Sequence, residues 1–128
     1  MFQIASYETY EDGHVIIEEG GYGDWIYQID EGAIEISKII DGKKVVIDVL
    51  HEGEILGELA YITKMPRTAT ATAVGRTVIG IIDRNFFDHE FNKLPADFQQ
   101  IFKAVALRLK RTTEVIANAK VGGNQDDH

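Results

Sequence analysis

The segment Gly57-Glu58-Leu59-Ala60-Tyr61-Ile62-Thr63-Lys64-Met65-Pro66-Arg67-Thr68-Ala69-Thr70 gathers a glycine, a carboxylate and a guanidinium into one short stretch. Gly57 lets the chain approach a ligand with no Cβ in the way, and the residues after it can form a helical turn whose free N–H groups attract an anion. Arg67 supplies the countercharge. Glu58 is out of place beside a phosphate unless it serves another group, and the natural partner for an acceptor-only carboxylate is a sugar hydroxyl. A sugar phosphate carries both groups.

Before this segment the glycines recur at short intervals (Gly13, Gly20, Gly21, Gly23, Gly32, Gly42, Gly53) and separate runs rich in Ile, Val, Tyr and Thr. That spacing predicts short antiparallel strands at 15–17, 25–29, 33–40 and 44–50, with Val45, Ile47 and Val49 alternating on one face of the last. Asp41-Gly42 between the final two is a hairpin signal. Thr68 to Val74 alternates threonine with alanine, and 77–82 is an apolar strand, so the sum predicts a barrel or jelly roll. After Asp83 the spacing becomes helical. Pro95 suits the first position of a second helix, which predicts helices over about 83–94 and 95–120 and a frayed tail at 121–128. Phe98, Ile101, Phe102, Val105, Leu109 and Ile116 form an apolar stripe on the second helix, long enough to serve both its own domain and a partner.

At 128 residues, 45% of them hydrophobic, the chain fits one folded domain, placed at 1–120 with the barrel ending near 82. With no cysteine, disulfides, thiolate metal sites and cysteine nucleophiles drop out. The start lacks a basic region followed by an apolar run, and no stretch is long enough to span a bilayer, so a soluble, cytoplasmic protein without membrane insertion is expected. A net charge of −8 argues against direct nucleic-acid binding, which depends on lysine and arginine displacing counterions. His14, His51, His89 and His128 have no spacing suited to a metal, and neither Ser6 nor Ser37 sits in a nucleophile context, so no enzymatic activity is expected.

Glycine-punctuated strands, then Gly-Glu-Leu-Ala, a short linker, Pro-Arg-Thr-Ala-Thr and a closing helix resemble the cyclic nucleotide-binding domain family, over nearly the whole chain. That family occurs in bacterial catabolite activator proteins, kinase regulatory subunits and cyclic-nucleotide-gated channels. The resemblance implies a mainly β fold, an eight-stranded antiparallel jelly roll followed by α-helices, with a phosphate-binding cassette at Gly57 to Ala69. The family's N-terminal helix is expected to be reduced to a turn or absent, since residues 1–10 show no helical period.

By this resemblance Arg67 binds the exocyclic phosphate oxygens and Glu58 accepts from the ribose 2′-hydroxyl, although a carboxylate at a helix start also suits the local dipole. Leu59 and Ala60 act through their amides, and Ala69 contributes backbone. Thr68 resembles the cGMP-binding pattern, where the hydroxyl meets the guanine amino group, without excluding cAMP. Thr112 and Thr113 resemble the adenine-contacting pair of the activator proteins; the other reading is that they bond back to helix carbonyls. Arg108, one turn before Thr112, reaches Glu58 or the phosphate, or is a solvated ion pair. Ile36, Ile47 and Val49 are candidates for the apolar wall against the base, or core. The expected function is a regulatory sensor for a cyclic mononucleotide, cAMP slightly ahead of cGMP, with the C-terminal helix closing over the ligand and mediating a homodimer. No other cofactor is expected. The alternative is a ligand-free docking or assembly domain of the same fold.

Overall fold

The computed structural model describes residues 2–126. Six strands form one antiparallel sheet: β1 (Ile4–Tyr10), β2 (Val15–Ile17), β3 (Tyr27–Ile40), β4 (Lys43–Leu50), β5 (Ile55–Leu56) and β6 (Thr70–Ile82). Their order is β1-β6-β3-β4, with β2 also paired to β6 and β5 to β3. Three helices complete the chain: α1 (Glu58–Thr63), α2 (Arg84–Asn92) and α3 (Ala96–Asp126). The predicted mainly β fold followed by helices is what the chain adopts.

The eight expected strands become six because two pairs of them are continuous. β3 joins the runs expected at 25–29 and 33–40, and β6 joins those at 68–74 and 77–82. Each long strand bends where its register with the other slips, around Asp30–Gly32 and Gly75–Thr77. Gly32 is required there: its φ is +90°, and a Cβ would lie 2.6 Å from the Arg76 carbonyl oxygen and 2.7 Å from Thr77 Oγ1. Thr77 is fully buried, and its hydroxyl reaches the Ala33 carbonyl at 3.0 Å, tying the bends together. Counted by halves, β3 and β6 restore the eight-strand total.

Among the described residues no helix precedes the barrel, in keeping with the expected absence; instead Ile4–Tyr10 form a strand that was not foreseen, paired with β6 from Ile4 opposite Ile82 to Tyr10 opposite Thr77. The Asp41-Gly42 hairpin forms as the sequence signals, with Ile40 opposite Lys43 and positive φ at both turn residues. Ile17, Ile29, Ile34, Leu56, Ala71 and Ile79 fill the barrel interior, and a second cluster of Ile26, Tyr61 and Ile82 seals its junction with α2.

α2 is started by Asp83, whose carboxylate accepts from the Phe86 amide at 2.9 Å. α3 runs past the end expected near Lys120 to Asp126, so most of the expected tail is helical; positions 127 and 128 lie outside the described residues. Its buried positions are Ala106, Ala117 and Val121, and the Lys120 ammonium donates to the Val46 carbonyl of β4 at 2.9 Å. The predicted stripe lies elsewhere: Phe98, Ile101, Phe102, Val105, Leu109 and Ile116 are each between 44% and 57% exposed. No helix is long and apolar enough to cross a membrane among the described residues.

Candidate functional site

Gly57 enters α1 in the left-handed region with φ of +91°. A Cβ here would stand 2.5 Å from the Trp25 carbonyl oxygen and 2.8 Å from Arg67 Nη1. Only glycine permits this approach. The amides that follow, those of Leu59 and Ala60, sit in the first helical turn, where no carbonyl of the helix can accept from them.

Arg67 closes the same corner from the other side. Its backbone is clamped by two bonds of 2.8 Å, from Gly20 N to its carbonyl and from its own N to the Gly21 carbonyl. Its side chain, 8% exposed, donates from Nη1 to the Gly57 carbonyl at 3.1 Å and from Nη2 to the Trp25 carbonyl at 3.0 Å. A guanidinium has five N–H donors, so three remain after these two bonds. Burial lowers its pKa, opposed by Tyr27, Asp24 and Glu58, yet an arginine stays protonated in any protein setting. Among the described residues no carboxylate forms an ion pair with it. Glu58, half-buried beside it, has its carboxyl pushed above the ordinary value by burial, with its own backbone amide and Arg67 pulling the other way.

These groups line one end of a cavity of about 240 Å³. Gly57, Glu58, Leu59, Ala60, Arg67, Thr68 and Ala69 face it from the cassette, Ile36 and Ile47 from the sheet, and Thr113 from α3. Ten of the sequence-predicted positions therefore converge on one space. Three do not: Val49, Arg108 and Thr112.

Val49 points outward because of a β-bulge. Ile36 pairs with Asp48 and Ser37 with Val46, which leaves Ile47 as an extra residue on β4. A one-residue slip inverts the facing of everything beyond it. Leu50 and Asp48 line the cavity instead, while Val49 is exposed. On α3 the error is also one residue, which is 100° of helix rotation. Leu109 and Thr113, four apart, line the cavity, Leu109 while about half exposed, whereas Arg108 and Thr112 are exposed and do not line it. Both threonine hydroxyls donate back to carbonyls one turn earlier, Thr112 to Arg108 and Thr113 to Leu109, each at 2.9 Å.

Other lining residues that were not expected are Ile17, Ile55, Leu56 and Ala71. Lys38 was also missed. It is buried on β3, donates to the Thr68 carbonyl and lies 3.3 Å from Glu19, so it holds the loop next to Arg67 from behind. No local pattern marks it.

The sequence model of the cyclic nucleotide-binding domain matches residues 7–93. The chain belongs to the cyclic nucleotide-binding domain family. It is 33% identical over 99 residues to a cAMP-dependent protein kinase regulatory subunit of Dictyostelium discoideum, covering 74% of this chain and 29% of that protein. It is 28% identical over 107 residues to a CRP-like cAMP-activated global transcriptional regulator of Mycobacterium tuberculosis, covering 83% of this chain and 48% of that one. The chain thus spans less than half the length of these relatives. Among solved structures, the regulatory domain of Toxoplasma gondii PKA with cAMP matches with a TM-score of 0.63 and 32% identity, over 66% of this chain and 32% of that one. The matched residues of the family include the whole cassette and stop at Lys93, so α3 lies outside them.

Proposed function

We propose that this cyclic nucleotide-binding domain binds a cyclic mononucleotide, cAMP or cGMP, in the cavity between the cassette and α3, as a regulatory sensor without catalysis of its own. One observation carries the reading. Arg67 is a buried cation with no ion-pair partner among the described residues and three N–H donors left over, set beside free helix amides at the end of a cavity. Burying an unpaired charge is costly, and an anion in that cavity offsets the cost. The cAMP in the names of two relatives and of a solved neighbour supports the same ligand class. The phosphate takes Arg67 and the amides of Leu59 and Ala60, the ribose hydroxyl takes Glu58, and Ile36, Ile47 and Leu109 flank the base. Contacts from Leu109 and Thr113 exist only with α3 docked, so ligand binding favours the docked state by the free energy of those contacts. The exposed stripe from Phe98 to Ile116 is an apolar face of the kind a second copy of α3 covers, which gives the homodimer.

A thermal-shift comparison with cAMP and cGMP tests the reading, since a ligand at a hundred times its Kd stabilises by about 2.7 kcal/mol. Arg67→Lys keeps the charge and loses the planar fork, and should weaken binding at least roughly tenfold in calorimetry. No shift with either nucleotide defeats the proposal. It would then favour a docking domain, for which the structure supplies its own rationale: the bonds of Arg67 to the Gly57 and Trp25 carbonyls give the arginine a structural use without any ligand.

A further inference from the structure

The short helix α1 has a second side. Its first residues face the nucleotide cavity, while Tyr61, Ile62, Thr63 and Lys64 face a separate space of about 440 Å³ closed by α2 and α3. Its apolar lining comes from Tyr61, Ile62, Phe91 and Leu107. Tyr61 and Phe91 meet edge to face at 6.0 Å, and Leu107 of α3 lies opposite. Its rim is polar, and most of the polar groups are already engaged. The Tyr61 hydroxyl donates to Asp88, which also lies 3.9 Å from Arg84. Gln99 donates to the Leu94 carbonyl at 3.0 Å, and the Thr63 hydroxyl to the Leu59 carbonyl at 2.7 Å.

What remains is the neutral amide of Asn92 and two cations. Lys103 forms no ion pair among the described residues. Lys64 sits over the Tyr61 ring at 4.0 Å and only 3.7 Å from Asp24, a long contact that leaves its ammonium open to a better acceptor. Two ammonium groups above an aromatic and aliphatic floor, in a chain of net charge −8, form a local exception to the acidic surface. We propose that this cavity is a second ligand site, for a small amphipathic anion: an acid head at the Lys64 and Lys103 rim, and a flat apolar body against Phe91 and Leu107.

The site also has a route to the first one. The six-residue helix α1 lines both cavities, with Glu58 to Ala60 on one and Tyr61 to Thr63 on the other, so an anion that ties α1 to α2 and α3 bears on the placement of the Leu59 and Ala60 amides. This part rests on the proposed nucleotide function. By linkage, any factor by which the anion changes nucleotide affinity is the factor by which the nucleotide changes anion affinity.

Anilinonaphthalene sulfonate, a fluorescent aromatic anion, is the probe, titrated into the full chain. Lys103→Glu reverses the rim charge and Leu107→Trp fills the floor; the first is expected to weaken binding at least roughly tenfold through loss of a charge-assisted contact, the second by a similar factor because the ring occupies the space of the apolar body. Val115→Ser, on an exposed part of α3 outside the cavity, controls for dye on the helix surface and should change nothing. Unchanged affinity in both cavity variants, or an equal loss in the control, overturns the site. A cAMP titration with and without saturating dye reads the coupling, and equal affinities in the two overturn the effector role. If cAMP fails to bind at all while the dye still responds to Lys103→Glu, the nucleotide reading falls and the anion site stands.

Discussion

Gly57→Ala tests the architecture of the cassette through a comparison with Gly53→Ala. Both glycines have positive φ, +91° at 57 and +87° at 53. A Cβ at 53 meets no heavy atom within 4 Å, whereas one at 57 would press into the Trp25 carbonyl and Arg67 Nη1. The left-handed backbone alone costs about 1–2 kcal/mol in either variant. At 57 the Trp25 carbonyl must also move, and it accepts the 3.0 Å bond from Arg67 Nη2. Losing one hydrogen bond to a charged group adds about 1.5–3 kcal/mol, which gives roughly 2.5–5 kcal/mol for Gly57→Ala. At about 4 °C per kcal/mol for a chain of this size, the melting temperature should fall by roughly 10–20 °C at 57 and roughly 4–8 °C at 53. Calorimetric or fluorescence-monitored melting of the ligand-free variants measures both. Equal losses would show that the close approach carries no energy, and the reasoning about Gly57 would be wrong.

Three further outcomes follow from the site. Burial raises the Glu58 carboxyl above its unfolded value, so the folded state holds more protons between the two pKa values and loses stability as pH rises through that window. Glu58→Gln should therefore raise the melting temperature at pH 7, show no gain below about pH 4 where both states are protonated, and weaken nucleotide binding; a gain that persists unchanged into acid would contradict the burial account. The bulge at Ile47 predicts that Ile47→Asp destabilises by about 2–4 kcal/mol in urea unfolding while Val49→Asp stays within about 1 kcal/mol, and the reverse order would disprove the register. On α3, Thr113→Val should change cAMP affinity by up to roughly tenfold and Thr112→Val by less than about twofold, and a larger loss at 112 would refute the placement of that helix face.

The cassette was legible because its chemistry is local. A glycine that needs positive φ, a helix start and an arginine ten residues on are all fixed by nearby residues, and the structure brings them into hydrogen-bond contact. The Asp41-Gly42 hairpin was legible for the same reason. Val49 was not, since Val45, Ile47 and Val49 keep a period of two in the sequence while the bulge is decided by the partner strand, between Ile36 and Ser37. β1 was hidden because Ala5 through Thr9 are all exposed and offer no apolar alternation. Lys38 needed the fold: its acceptor, the Thr68 carbonyl, is thirty residues away.

α3 shows why the missing part of the reading is also the part with mechanical content. Most of its large side chains are about half exposed, and its buried positions are the smaller Ala106, Ala117 and Val121, with Gln99, Phe102 and Lys120 adding contacts to α2 and β4. Small side chains let the helix lie close to α1 and β4 but bury little apolar surface, and burial contributes only about 25 cal/mol per Å². Leu109 and Thr113 add a surface that a ligand in the cavity would touch, so a few contacts from that ligand are comparable with what holds the helix in place. A helix packed by its Phe and Ile stripe would instead be fixed with or without ligand, since a single buried Phe or Ile contributes about 1.5–3 kcal/mol. Under the proposed function, the stripe is the apolar face that a second chain covers, and the contacts of Leu109 and Thr113 couple the helix to what occupies the cavity.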